Sequence, residues 1–167
     1  AYWDAEVKRA QVLGLPGYPV FTHKHHSDMC FLACARRLLE APDAVYAQFA
    51  SHNAITLSAI LELGAAAKAP FELQRLHGMG ESLFREVLSS SAAPCRIYAP
   101  VGQYRDLLAY LVRRLLENGA NSSFVHQLAD EKVAVSQLVR SPLRVETHTA
   151  IVLPAALYGR ERVNSAG

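Results

Sequence analysis

Hydrophobic and polar positions along this chain alternate between two periods. Short runs of β-type residues with polar ends give way to longer segments whose apolar residues recur every three to four positions, and that alternation predicts a parallel α/β arrangement. Four strand–tip–helix units are expected. A helix from Asp4 to Leu13 stops at Gly14, and Pro16-Gly17 lead into a strand Tyr18 to Thr22. Ser27 or Asp28 then caps a helix running to Glu40. The second strand is Ala44 to Ala50, tipped by Ser51-His52-Asn53 and followed by a helix from Thr56 to Gly64. The third is Phe71 to Leu76, closed by His77-Gly78-Met79-Gly80, with a helix over Glu81 to Leu88 and a Ser89-Ser90-Ser91 linker. The fourth is Arg96 to Ala99, with Pro100-Val101-Gly102 as exit loop and a helix from Asp106 to Asn118 stopped by Gly119. In that last helix Leu108, Leu111, Val112 and Leu115 form one apolar stripe. Beyond Phe124 the pattern weakens: Gln127 to Val139 holds one more helix, and Pro142 to Gly167 reads as a loose tail or linker.

Composition narrows the class. The 167 residues suffice for one domain and a sizeable core but fall short of the about 250 of a complete (β/α)8 barrel. A formal charge of +2, with 19% charged and 51% hydrophobic residues, argues against both a nucleic-acid-binding balance and disorder. Cys30, Cys34 and Cys95 are odd in number and read as reduced thiols used as small core residues in a cytoplasmic setting. No run reaches the roughly 18 apolar residues of a membrane span, and the first residues show no basic region followed by an apolar one, so neither secretion nor membrane spanning is expected. The chain starts at Ala1-Tyr2-Trp3 without Met, which points to a piece of a longer polypeptide.

Each predicted strand ends in polar or Gly residues at its carboxyl end, where a parallel α/β sheet places its ligand. Thr22, Ser51-His52-Asn53, Gln74 and Tyr98 offer hydroxyl, imidazole, amide and phenol groups suited to phosphates and the polar edge of a ring cofactor. The same residue types also serve as ordinary turns and caps. Arg113-Arg114, with Glu117, could grip a carboxylate or phosphate bidentately, or could form a solvated face with an Arg113–Glu117 pair. His23, His25 and His26 lack convergent acids, so no metal site is expected. Gly78-Met79-Gly80 lacks P-loop spacing and reads as a turn, and Cys95 reads as a packing residue rather than a nucleophile.

Several ordered blocks carry a family resemblance. They are Ala1-Tyr2-Trp3-Asp4, Gln48 through Ala54, Gln74 through Gly80, Arg96 through Gly102 and Leu107 through Asn121. Together they resemble the proline dehydrogenase domain of bacterial proline utilization A proteins, and the segment Leu157-Tyr158-Gly159, Arg162 and Asn164 through Gly167 is similar to the stretch that leads toward the aldehyde dehydrogenase domain of bifunctional members. The resemblance implies a (β/α)8 TIM-like barrel, here its last four βα units over residues 1–140, with a tail or linker over 141–167. It implies FAD as cofactor, L-proline as substrate, 1-pyrroline-5-carboxylate as product and a membrane quinone as electron acceptor, in a cytoplasmic protein peripheral to the inner membrane face. By position Tyr98, Arg113 and Arg114 match the substrate-contacting residues, the arginines gripping the proline carboxylate and Tyr98 packing on the ring. Ala1, Trp3, Thr22, Lys24, Ser51, His52, Asn53, Gln74, Leu76, Arg114, Glu117, Ser123 and Phe124 match FAD-contacting positions.

The chain departs from the family pattern at His23, where Arg is usual, at Ser51, where Thr is usual, and at Leu73, where Phe or Tyr is usual. The Ser51 change keeps a hydroxyl, whereas His23 lowers positive charge near the cofactor. The family's first four strands, which supply further substrate and FAD contacts, are outside this sequence, and four strands cannot close a barrel. The enzyme reading is therefore of a fragment, expected to be inactive alone and to need the first half of the barrel as partner. A non-catalytic half-barrel that binds anions or serves assembly is the alternative from another class, and a homo-oligomer is left open.

Overall fold

The computed structural model describes residues 4–119, 124–143 and 151–159. The chain divides into two compact units, Ala1–Phe31 with Pro142–Gly167, and Leu32–Ser141.

In the first unit, helix α1 (Asp4–Val12) buries Ala10 and meets a 3-10 turn at Pro154–Ala156 whose Pro154 is buried. The Tyr18 hydroxyl donates to the Val152 carbonyl at 2.8 Å and accepts from Gln11 Nε2 at 3.1 Å. The expected tail, over its described residues, thus belongs to this unit. The strand expected at Tyr18 to Thr22 is not formed: only Phe21 makes an isolated bridge. Pro19 withdraws a ladder donor from the middle of that run, and the Tyr18 side chain is drawn to Val152.

Helix α2 (Lys24–Leu39) begins in this unit and continues in the second. It starts before the expected caps at Ser27 and Asp28, because His26 N–H already bonds the His23 carbonyl. Asp28 accepts from Lys24 Nζ at 2.7 and 2.9 Å instead of capping. Cys30 and Cys34, expected in the core, are exposed and form no disulfide.

The second unit is built on a parallel three-stranded sheet, β1 (Ala47–Ala50), β2 (Phe71–Leu76) and β3 (Cys95–Tyr98), in the order β1-β2-β3. Helices α3 (Ala54–Ala67) and α4 (Glu81–Ser90) connect consecutive neighbours. Register pairs Phe49 with Leu73, Ala50 with Gln74, Gln74 with Arg96 and Leu76 with Tyr98. Since successive side chains alternate between faces, Ala47, Phe49, Phe71, Leu73 and Cys95 share one face. Leu57 and Ile60 of α3, Phe84 and Val87 of α4, and Ala35 and Leu39 of α2 close over that face as the core. Burying each large side chain there contributes about 1.5–3 kcal/mol. Leu73 is fully buried at its centre.

Several boundaries differ from expectation for local reasons. β1 starts at Ala47 because the Ala44 and Val45 amides bond back to the Ala41 carbonyl as a turn. α3 starts at Ala54 and passes through Gly64 to Ala67, ending at Lys68 in the left-handed region with φ 52°. α4 takes in Ser89 and Ser90, whose hydroxyls donate to the Glu86 carbonyl at 2.8 and 3.1 Å. Helix α5 (Tyr104–Gly119) leaves its stripe outside the core, with Leu108, Leu111 and Val112 exposed and Leu115 71% exposed. The single helix expected over Gln127 to Val139 is two, α6 (Phe124–Ala129) and α7 (Val135–Leu138). Between them the Asp130 carboxylate accepts from the Lys132 amide at 2.9 Å, holding a turn in place of helix.

Candidate functional site at the carboxyl ends of the strands

The second face of the sheet carries Gln48 and Ala50 from β1, Glu72, Gln74 and Leu76 from β2, and Arg96 and Tyr98 from β3. Three predicted site residues, Gln74, Leu76 and Tyr98, therefore share one face, with Leu76 and Tyr98 in direct register. The His77 amide donates to the Tyr98 carbonyl at 2.8 Å, carrying the β2–β3 pairing one residue further and fixing the backbone of Tyr98. Behind the loop, Arg75 donates to the Met79 carbonyl at 3.0 Å and pairs with Glu81 at 3.5 Å, so the turn at residues 77–80 is tied to the start of α4.

Ser51, His52 and Asn53 follow β1 at the same end, and each has a local task. The Ser51 hydroxyl accepts from the Asn53 amide at 3.2 Å. Asn53 caps α3, its Oδ1 accepting from the Ile55 and Thr56 amides at 2.9 and 3.3 Å, a cap that contributes about 1 kcal/mol. His52 Nε2 lies 3.4 Å from the Leu76 amide, and its ring meets Phe84 edge-on at 6.1 Å between centroids. Gly80 is needed beside it: with φ +63°, a Cβ there would sit 2.9 Å from His52 Cδ2.

The electrostatic centre of this face was not among the predicted site residues. Glu72 is only 4% exposed. Arg96 Nε donates to its Oε1 at 2.7 Å and Nη2 to its Oε2 at 2.9 Å, while Gln74 Nε2 donates to Oε1 at 2.9 Å. These bonds, that from Arg96 above all, hold the Glu72 carboxyl down at about 2 and raise the Arg96 guanidinium. The sequence carried only part of the signal, opposite charges at Glu72 and Arg96 on neighbouring predicted strands, while their diagonal pairing is set by the register. On the core side, burial pushes the Cys95 thiol up, in keeping with packing rather than nucleophilic use.

Arg113 and Arg114 follow Tyr98 on α5. Successive helical residues diverge by about 100°, and the two differ accordingly: Arg113 is exposed, while Arg114 is half-buried with its guanidinium carbon 5.4 Å from the Tyr110 ring centroid. Glu117 lies further along the same helix, and Phe124 opens α6 half-buried. Thr22 and Lys24 are half-buried in the first unit, where Lys24 is committed to Asp28. The rings of His23, His25 and His26 cluster there, 4.0 Å apart for His25 and His26. Ala1, Trp3 and Ser123 lie outside the described residues. Among the described residues no group of three or more His, Cys, Asp or Glu is placed to hold a metal ion, and no helix is long and apolar enough to cross a membrane. A shallow groove lined by Leu61, Gly64, Phe71, Ser91 and Ala93 opens at the amino ends of β2 and β3, away from the polar face.

The comparisons with known proteins agree with one another. The sequence profile of the family described as proline dehydrogenase matches residues 1–127. The bifunctional proteins PutA of Salmonella typhimurium and of Escherichia coli K12 are each 51% identical over 186 aligned residues, covering 100% of this chain and 14% of theirs. The chain thus spans about one-seventh of the length of these curated relatives. Among solved structures, a variant of Bradyrhizobium japonicum proline utilization A superposes with a TM-score of 0.86 at 51% identity, covering 99% of this chain and 18% of that one. A proline utilization A with proline bound in remote sites gives 0.87 at the same identity and coverage. Since the family match runs through all three strands and the arginine-bearing helix, the chain belongs to the proline dehydrogenase family.

Proposed function

We propose that this chain is the flavin- and substrate-binding half of a FAD-dependent proline dehydrogenase, which oxidises L-proline to 1-pyrroline-5-carboxylate within a complete (β/α)8 barrel. The observation that carries the reading is the family match over residues 1–127. The consecutive β1-β2-β3 order with a helix between neighbours supports it, being the connectivity a barrel requires.

The residues present suit such a cofactor. Toward the carboxyl ends of the parallel strands stand hydroxyl, amide and phenol groups at Ser51, Gln74 and Tyr98, next to the amino end of the 14-residue helix α3, a polar set suited to a phosphorylated ring cofactor. Gln74, Leu76 and the Ser51-His52-Asn53 tip would hold it, with Arg114 and Glu117 of α5 and Phe124 of α6. FAD, when bound, would take the hydride from proline C5, which carries both electrons, as the amine gives up its proton to solvent, and would pass those electrons on to a membrane quinone. The chain's own work is orientation and electrostatics. Arg113 and Arg114 bind the proline carboxylate, Arg114 reaching it from above Tyr110. Tyr98, its backbone fixed by the His77 amide, packs on the substrate ring and keeps water from it.

A direct test places the chain in the Escherichia coli PutA in place of the matching segment. Uptake of FAD and bleaching of its absorbance by proline are expected, and Arg113→Met should lower kcat/KM for proline by about 10- to 100-fold, the worth of one charge-assisted contact. A folded chimera that takes up no flavin would leave the non-catalytic half-barrel as the better reading.

A further inference from the structure

Glu72 is a buried carboxylate at the second position of β2. Arg96 occupies both of its oxygens, and Gln74 donates a third hydrogen bond to Oε1. An ionised carboxylate only accepts, whereas a carboxamide has one donating and one accepting edge. Of the two orientations open to the Gln74 amide, one therefore places its NH2 against Glu72, and the other would set carbonyl oxygen against carboxylate oxygen. The register puts Arg96 directly opposite Gln74 and diagonal to Glu72, so the three form a compact group two residues from Leu76 and Tyr98. Arg96 acts on the amide through the acid, by keeping Glu72 ionised and its plane fixed.

We propose that Glu72 and Arg96 are positioning residues for the cofactor site. Together they lock the Gln74 carboxamide with its NH2 toward Glu72, so that its carbonyl oxygen accepts a hydrogen bond from an N–H or O–H of the bound cofactor. The inference rests on the flavin-site reading of Gln74 above. It adds a polarity: this position selects a ligand atom that donates, and the selection is set by two residues that do not touch the ligand. Glu72→Gln removes the discrimination because a carboxamide can pair with either edge of Gln74. Arg96→Leu removes it by freeing the acid, while Arg96→Lys keeps the charge but loses the fork.

Two measurements test this. In the 15N-labelled full chain, the Gln74 carboxamide protons, assigned by their loss in Gln74→Leu, are expected to be well separated and slow to exchange, and to converge in Glu72→Gln and Arg96→Leu. Wild-type Gln74 protons that behave as a free carboxamide would overturn the locking. In the Escherichia coli chimera, both substitutions should raise the Kd for FAD about tenfold, with Arg96→Lys raising it less. The kcat at saturating FAD should stay near that of the unsubstituted chimera, while the melting temperature falls, most in Arg96→Leu, which leaves the buried Glu72 carboxylate without its cation. If the unsubstituted chimera binds FAD and both variants bind it equally well, the positioning role is wrong while the enzyme reading stands. If the unsubstituted chimera binds none, the enzyme reading falls and this inference with it.

Discussion

Gly64 sits inside α3, three residues short of its end, where a Cβ would overlap the Phe71 ring. The missing side chain lets β2 begin close under the helix, and Phe71 in turn meets Phe49 edge-on at 6.0 Å. Two effects of Gly64→Ala oppose each other: alanine favours the helix by about 1 kcal/mol, and overpacking costs about 1–3 kcal/mol. Because the ring is held between strand and helix, a net loss of about 1–2 kcal/mol is expected in the urea unfolding free energy. A gain would mean that Phe71 moves aside freely. Read along the sequence, this glycine marked a helix end. A glycine that ends a helix and one that admits a neighbour look alike until the neighbour is in place.

At the scale of elements, β2 and β3 are joined by more than their ladder. The Arg96–Glu72–Gln74 group crosses the pair on the polar face, and its charge state follows pH. Glu72 lies at about 2 in the folded chain against an ordinary 4.5. Between those values the unfolded chain binds the proton more readily than the folded one. The group's stabilisation is thus fully present above about pH 4.5 and lost as pH falls toward 2. The urea midpoint should decline across that window, and Glu72→Gln should flatten the decline. An equal slope in the variant would place the acid sensitivity elsewhere. This cross-strand pairing was not visible from periodicity, which identifies the face of a residue but not its diagonal neighbour. The elements themselves were largely legible. β2 matched its expected span and α1, α3, α4 and α5 formed as periodicity suggested, with ends moved by capping and turn bonds. The strand at Tyr18 to Thr22 failed because its interior proline and its tyrosine hydroxyl found other roles.

Considered as a whole, the chain presents a sheet whose outer strands, β1 and β3, are each paired on one side among the described residues. Ile97 in β3 is 53% exposed, and Leu115 and Leu116 of α5 are each 71% exposed. Open edges next to apolar surface favour association. The isolated chain is expected to sediment as concentration-dependent oligomers, and a separately produced first half of a PutA barrel should return it to a discrete complex. Sedimentation velocity with and without that half decides the matter, and a monomer at all concentrations would count against a half-barrel.

The sequence by itself determined the class of the chain: strand and helix periods dictate a parallel α/β sheet, and ordered blocks through Tyr98 and Arg113-Arg114 carry the family. These are local properties, written in residues near one another. Only the tertiary structure decided that Gly64 makes room for Phe71, that His52 meets Phe84, and that Glu72 and Arg96 flank Gln74. Each of those depends on the register between strands or the distance between helix and sheet, and such contacts are set by the packing of distant segments, not by the pattern within any one of them.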